Sequence, residues 1–472
     1  MYENKIKRKR MKTTAYYCRS RFPSTVRAAS LLVFIFMSMG SAAGGNMMDY
    51  FLPMPIGNGL ESTGIWGAPG VIPRDIHNGL EDSSCTRYSY WDGSIIKGKD
   101  GKYYMYCSRW DQSRGHDGWP QSVAVYAVSD NITGPYVDQG LLYTHEGGRG
   151  HNVVAIELPD GRIAVFCSDI VPGWVFIADD PSGPFEFQGE VKINTNGYEN
   201  TSMLRTNMSI CVREDGTFLI IPRGGHVMHS TSGIMGPYLV KSDVIWPMDL
   251  PGFDTRAWED PCVWRSGGKY YCMVNNWSTK QAIYLTSDDG LTNWEYTGNK
   301  AYSPADPDLF RYTDGTRNTW TKIERPGVYM ENGQVTHLTF SVIDVEKEQD
   351  RGNDDHNSKI IVVPFDDADF TGSTATGSHV MESGLERPVS FTIKNTGAVM
   401  RTPFSVAGNA TVLDMAIFDP GGRLIVQIDN APVKDRCISL NHHAVVPALP
   451  QGIYLIVLRD GERCFQGRLM CF

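Results

Sequence analysis

The strongest constraint on this chain's fold is an internal repeat. Five times a short apolar strand runs into a tight turn, and a second strand rich in aromatic or β-branched residues leaves it. The first copy is Ser94-Ile95-Ile96, a turn at Asp100-Gly101, then Tyr103-Tyr104-Met105-Tyr106. The next turns fall at Asp160-Gly161, Asp215-Gly216, Gly267-Gly268 and Asn332-Gly333. Asp-Gly and Asn-Gly are favoured in hairpin turns because those positions require positive φ. A second element follows the hairpins: Gly134-Pro135-Tyr136, Gly183-Pro184-Phe185, Gly236-Pro237-Tyr238 and, more loosely, Asn293-Trp294, with copies about 50–57 residues apart. One hairpin plus one outer strand pair is a four-stranded blade, and five such units predict an all-β, five-bladed β-propeller over 44–370. A β-sandwich with coincidental turns is the alternative, and five units in phase argue against it.

The two ends read differently. Nine of the 44 Lys and Arg lie in residues 1–43 against one acid, Glu3, ahead of the apolar run Leu31–Met37 and the small residues Gly40-Ser41-Ala42-Ala43. Charge, short apolar core and small-residue site predict a signal peptide over 1–43, too short in its apolar part to span a bilayer. The expected location is therefore secreted or cell-surface, extracellular or periplasmic in a bacterium. The small-residue stretch beginning Thr371-Gly372-Ser373 predicts a linker over 371–387. Strand and turn signals beyond it predict a small C-terminal β-sandwich over 388–472.

The body carries 35 bases against 52 acids, a net near −17. That balance opposes sequence-independent nucleic-acid binding, and no segment predicts membrane insertion. With 48 Gly, 26 Pro and 41% hydrophobic residues, disorder, collagen and a bare disulfide scaffold are all excluded. Cys107, Cys167, Cys211, Cys262 and Cys272 sit in strand-like runs as small hydrophobes, while Cys437, Cys464 and Cys471 cluster late, where one pair is free to bridge. No spacing suggests zinc.

In a propeller the residues just before the innermost strands converge on the axis. Counting nine residues back from each turn glycine gives Asp92, Asn152, Asn207, Glu259 and Glu324, with Asp260 a near tie for Glu259. Five polar residues in register predict a polar funnel. Several carboxylates in one cavity suit glycosidic bond cleavage, in which one protonates the leaving oxygen and another activates water or attacks the sugar. The candidate catalytic residues are Asp92, Glu259, Asp260 and Glu324. Trp91, Trp110, Trp119 and His116 are candidate sugar contacts from the first blade, beside Asn152, Asn207 and His151. Arg325, next to Glu324, is a candidate clamp for a substrate carboxylate or sulfate. No cofactor is required and no residue is assigned to a metal; an axial calcium or other cation stays open, with no loop signature for it.

Trp91-Asp92-Gly93-Ser94-Ile95-Ile96-Lys97 followed by Asp100-Gly101-Lys102-Tyr103-Tyr104 resembles the first-blade motif of glycoside hydrolase family 43. Glu259-Asp260-Pro261 with Gly268-Lys269-Tyr270-Tyr271 repeats the pattern in blade four. The similarity covers about residues 60–366 and extends to the related families 32, 68 and 117. It implies that Asp92 is the catalytic base, that the substrate is a carbohydrate and that hydrolysis inverts the anomeric centre. Asn152 and Asn207 cannot titrate, so the remaining acids must come from blades four and five. The resemblance also makes His151 a candidate general acid or ligand. The final module loosely resembles the sorting domain of type IX secretion, which implies a secretion machinery as partner.

These features predict a secreted, exo-acting glycoside hydrolase acting on a plant or algal glycan. Two alternatives stay open. A phosphorylase on the same fold needs free cations, for which Arg223, Arg325 and Lys322 are candidates. A non-catalytic glycan-binding propeller would explain the asparagines of blades two and three.

Overall fold

The computed structural model describes residues 45–372 apart from 57–58, 62–64 and 200, and beyond them only the backbone of strands between 389 and 471. The expected signal peptide, linker and late cysteine pair lie outside the described residues. Strands pair in the C-terminal part, including an antiparallel hairpin of Gly452–Asp460 with Arg463–Cys471; the expected sandwich packing lies outside what is described.

Blade one is β1 (Tyr88–Lys97), β2 (Tyr103–Asp111), β3 (Val123–Ser129) and β4 (Val137–Leu141). Blade two is β5 (Val154–Glu157), β6 (Ile163–Cys167), β7 (Trp174–Ala178) and β8 (Glu186–Glu190). Blade three joins β9 (Ile193–Asn194) to β10 (Ser209–Val212), β11 (Phe218–Ile221), β12 (Met228–Ser230) and β13 (Tyr238–Val240), with β9 parallel to the outermost strand β13. Blade four is β14 (Trp258–Ser266), β15 (Lys269–Asn276), β16 (Gln281–Ser287) and β17 (Glu295–Tyr302). Blade five has three strands, β18 (Lys322–Glu331), β19 (Gln334–Ile343) and β20 (Ser358–Pro364). The inner strands β1, β5, β10, β14 and β18 neighbour one another in that order, and β18 returns to β1. The propeller is closed and five-bladed, as the repeat predicts.

The missing outer strand of blade five is supplied by chain N-terminal to blade one. Leu80 and Ile360 exchange both backbone hydrogen bonds, at 2.9 and 3.0 Å. Asn78 imitates another strand residue, its Nδ2 donating to Val362 O at 2.8 Å and its Oδ1 accepting from Val362 N at 2.9 Å. Gly79 reaches the other way, donating to Thr133 O and accepting from Tyr136 N in blade one. Blades are packed by apolar faces between sheets, for example Tyr106, Val165, Cys167 and Phe176 between blades one and two. Cys107, Cys167, Cys262 and Cys272 are buried free thiols in these layers, and Cys211 is half-buried.

The funnel register differs from the count in two blades. Asp92, Asn152, Asn207, Asp260 and Arg325 all have positive φ, at 77°, 49°, 44°, 55° and 49°. In blades one, four and five this residue sits at a bulge, where the ladder slips by one position. The equivalent residues are therefore Asp260 and Arg325, and Glu259 and Glu324 each stand one place earlier. The cause is turn length. Blades one to three close through three-residue loops, with Gly98, Leu158 and Arg213 donating to Lys102, Arg162 and Thr217. Blades four and five close through two residues, between Ser266 and Lys269 and between Glu331 and Gln334.

Candidate active site

The five left-handed residues form the floor of the funnel. Asp and Asn tolerate positive φ better than other L-residues, which accounts for four of them. Arg325 does not, and its strained backbone is held by what its side chain binds. Arg325 Nε donates to Asp92 Oδ1 at 2.8 Å, and Nη1 reaches Asp260 Oδ1 at 3.4 Å. Asn207 Nδ2 donates to the same Asp260 oxygen at 2.6 Å. The guanidinium thus bridges the carboxylates of blades one and four across the axis. Asp92, Asp260 and Arg325 are all buried, and two flanking carboxylates keep the guanidinium firmly protonated although burial opposes it. Below this bridge the inner strands enclose an axial channel of ≈ 480 Å³.

The same side chains stitch blades that share no inner-strand ladder. Asp92 Oδ2 accepts from Val153 N of blade two at 2.9 Å and from the Ser108 hydroxyl. Asp260 Oδ2 accepts from Arg325 N at 3.3 Å, and Ser209 Oγ from Val263 N at 2.8 Å. Ser341 Oγ accepts from Asp92 N at 2.7 Å. Both oxygens of Asp92 are therefore engaged, and its side chain is 1% exposed.

Above the floor lies a second layer of charge. Glu259, Asp260 and Glu324 bring one oxygen each to within 4.8 Å of one another. Lys347 Nζ is hydrogen-bonded to Glu324 Oε2, Lys322 Nζ stands 3.9 Å from its other oxygen, and Arg223 Nη1 lies 3.1 Å from Glu259 Oε2. With an ammonium already seated among these acids, the donor set does not fit a divalent cation. The pKa of Glu259 is raised to about 8 by burial and then by the charges of Asp260 and Glu324. Burial is also the largest cause raising Asp260. Lys347 is held above its ordinary value by Glu324 and Glu259 against the opposing effect of burial.

A fifth acid enters from blade two. Asp169, just past the end of β6, accepts a hydrogen bond from Asn152 Nδ2 and is exposed. The surrounding walls desolvate it and raise its pKa to about 6; Arg325, Asp260 and Arg223 are the charges that act on it. Sequence reasoning missed Asp169 and Lys347. The available signal was topological: the end of each blade's second strand lies beside the start of its inner strand, so residues there border the same funnel. Ser108, Asp169, Arg223, Ser341 and Lys347 all come from such places.

The expected aromatic contacts form a wall. Trp91, Trp110, His116 and His151 are buried. His116 stands edge-on to Trp91 at 5.0 Å and to Trp110 at 5.6 Å, and Trp119 covers His151 at 4.9 Å. Their mutual packing leaves Trp91 and Trp110 no open ring face for a sugar. Burial, the largest cause, lowers the His151 pKa to about 4 and keeps His116 neutral. At neutral pH His151 has no proton beyond its single N–H, which argues against a proton-donor role. Arg325 is committed to Asp92 and Asp260 and is not free to clamp a substrate anion. Among the described residues the most exposed indole is Trp277, 42% exposed, whose backbone N–H donates to Ala257 O just before β14.

The sequence matches no protein-family model and no curated protein. Among solved structures it is similar to a family 43 β-xylosidase/α-arabinofuranosidase from a compost microbial metagenome, at 15% identity over 61% of this chain and 94% of that one, TM-score 0.42. It is likewise similar to a family 117 glycoside hydrolase of the marine bacterium Zobellia galactanivorans, at 15% identity over 64% and 94%, TM-score 0.42. A third, described as a glycoside hydrolase, covers 77% of this chain and 92% of its own at 13% identity, TM-score 0.43. Likeness at this level carries no assignment of activity.

Proposed function

We propose that the funnel is the active site of a glycoside hydrolase. The observation that carries this reading is geometric: Glu259, Asp260 and Glu324 gather oxygens within 4.8 Å of one another, and the exposed Asp169 is held by Asn152 at the funnel floor. Glu259, at about 8, keeps its proton at neutral pH, while Asp169, at about 6, is ionised and open to solvent. Glycosidic cleavage requires one protonated acid and one ionised carboxylate. Glu259 is the proton donor to the leaving oxygen.

Charge balance supports an uncharged sugar. Lys322, Arg325 and Lys347 are each within ion-pairing distance of a funnel carboxylate. The same pairing favours water over phosphate as acceptor, since a phosphorylase needs unpaired cations for its phosphate. A funnel with a bridged floor suits a chain end better than a chain interior, which supports exo-action on a plant or algal glycan. Inversion is the stereochemistry implied by the family 43 motif, and the basic, then apolar N-terminus supports secretion.

The test is product analysis on neutral xylo-, arabino- and galacto-oligosaccharides, with and without added phosphate. Single sugars released equally in both conditions are expected. Release only with phosphate would assign a phosphorylase, and binding without release a glycan-binding module.

A further inference from the structure

We propose that Asp169, and not Asp92, is the carboxylate that activates the attacking water; the assignment rests on the glycosidase reading of the funnel. A general base must touch the water it deprotonates. Asp92 is poorly placed for this. One oxygen holds Arg325 Nε, the other holds Val153 N and the Ser108 hydroxyl, and its side chain is 1% exposed. Freeing it would strip the buried guanidinium of a partner. Asp260 is as deeply buried, and Glu324 is held by Lys347.

Asp169 has the opposite character. It is exposed, its backbone is left-handed at φ 64°, and Asn152, itself left-handed at the funnel floor, orients one oxygen. Its hydrogen bond with Asn152 ties it to the funnel floor, and Arg223 Nη1 stands 3.1 Å from Glu259 Oε2. A loop thus supplies the acid that blade two lacks at its register position: Asn152 cannot titrate, but it holds a group that does. In the reaction Asp169 takes a proton from water as the water oxygen bonds to the anomeric carbon. The glycosidic C–O bond breaks, its electron pair stays on the leaving oxygen, and Glu259 gives that oxygen its proton. Solvent then reprotonates Glu259 and deprotonates Asp169. Asn152 is a positioning residue, and its hydrogen bond lowers the Asp169 pKa.

The test compares kcat and KM against pH for the wild type, Asp169→Asn, Asp92→Asn and Asn152→Gly, using a substrate that the wild type cleaves. Asp169→Asn should lower kcat by about 10²–10⁴-fold with little change in KM. It should abolish the acidic limb near pH 6, and azide, a nucleophile that needs no base, should restore turnover as a glycosyl azide. Asn152→Gly keeps the left-handed backbone and should move that limb to higher pH while activity persists. Retention of kcat by Asp169→Asn, or azide rescue of Asp92→Asn instead, would overturn the assignment and leave the glycosidase reading standing. Should Asp169→Asn not fold, an unmoved limb in Asn152→Gly overturns it equally. A wild type that binds glycans without cleaving them would overturn the glycosidase reading itself.

Discussion

Glu259 and Arg325 show how one position of register separates chemistry from scaffolding. Glu259 points to the half-buried layer above the floor, where burial and two neighbouring acids hold its proton. Glu259→Gln should therefore lower turnover of natural oligosaccharides by about 10²-fold or more, and much less on an aryl glycoside whose leaving group needs little protonation. An equal loss on both substrates, read from steady-state rates, would move the donor role elsewhere. Arg325, one residue from Glu324, serves the floor instead. Arg325→Met should cost about 3–5 kcal/mol by urea unfolding, because Asp92 and Asp260 would lose their buried cation. Without it the burial that already raises the Asp260 pKa would be less opposed, so the deficit should shrink as pH falls and grow as pH rises. The sequence showed which polar residues approach the axis; it did not show which of them would pair. Asp169 and Lys347 were invisible because their loops have no common length, and only the ends of β6 and β19 place them.

Hairpins made the blades legible, since Asp-Gly and Asn-Gly turns recur at similar spacing and apolar strands flank them. The same turns misplaced two registers, because a two-residue closure in blades four and five replaces the three-residue loops of the others. The bulge at the funnel floor was not legible at all: nothing in the sequence marks Gly93 as an extra residue rather than a strand residue. The bulge predicts a contrast between two glycines of blade one. Gly93, at φ 123°, has the Ile360 Cγ2 2.8 Å from where a Cβ would stand, whereas Gly101, at φ 86°, has nothing within 4 Å. Gly101→Ala should cost only the backbone term, about 1–2 kcal/mol, and Gly93→Ala should cost that plus the steric clash with blade five. Equal losses of stability in urea melts would mean that blades one and five are not packed this closely at the bulge.

For the whole molecule, the repeat count established a five-bladed ring, but the closure came from outside the repeat. Blade five lacks its own fourth strand, and the segment around Asn78–Leu80 ties it to blade one. No hairpin signal marks that segment, because Asn78 pairs with a residue 284 positions away. Every residue assigned to the funnel lies between Trp91 and Lys347. A chain ending at Gly372 should therefore keep its activity, while one beginning at Glu81 should lose cooperative thermal unfolding along with activity. Equal behaviour of the two truncations would contradict the closure. The central claim is that the funnel pairs a protonated Glu259 with an ionised Asp169. The pH dependence of kcat/KM for the wild type tests it most directly: a bell is expected, falling below about pH 6 as Asp169 gains its proton and above about pH 8 as Glu259 loses its own. A profile flat from pH 5 to 9, or one whose upper limb survives Glu259→Gln, would contradict it.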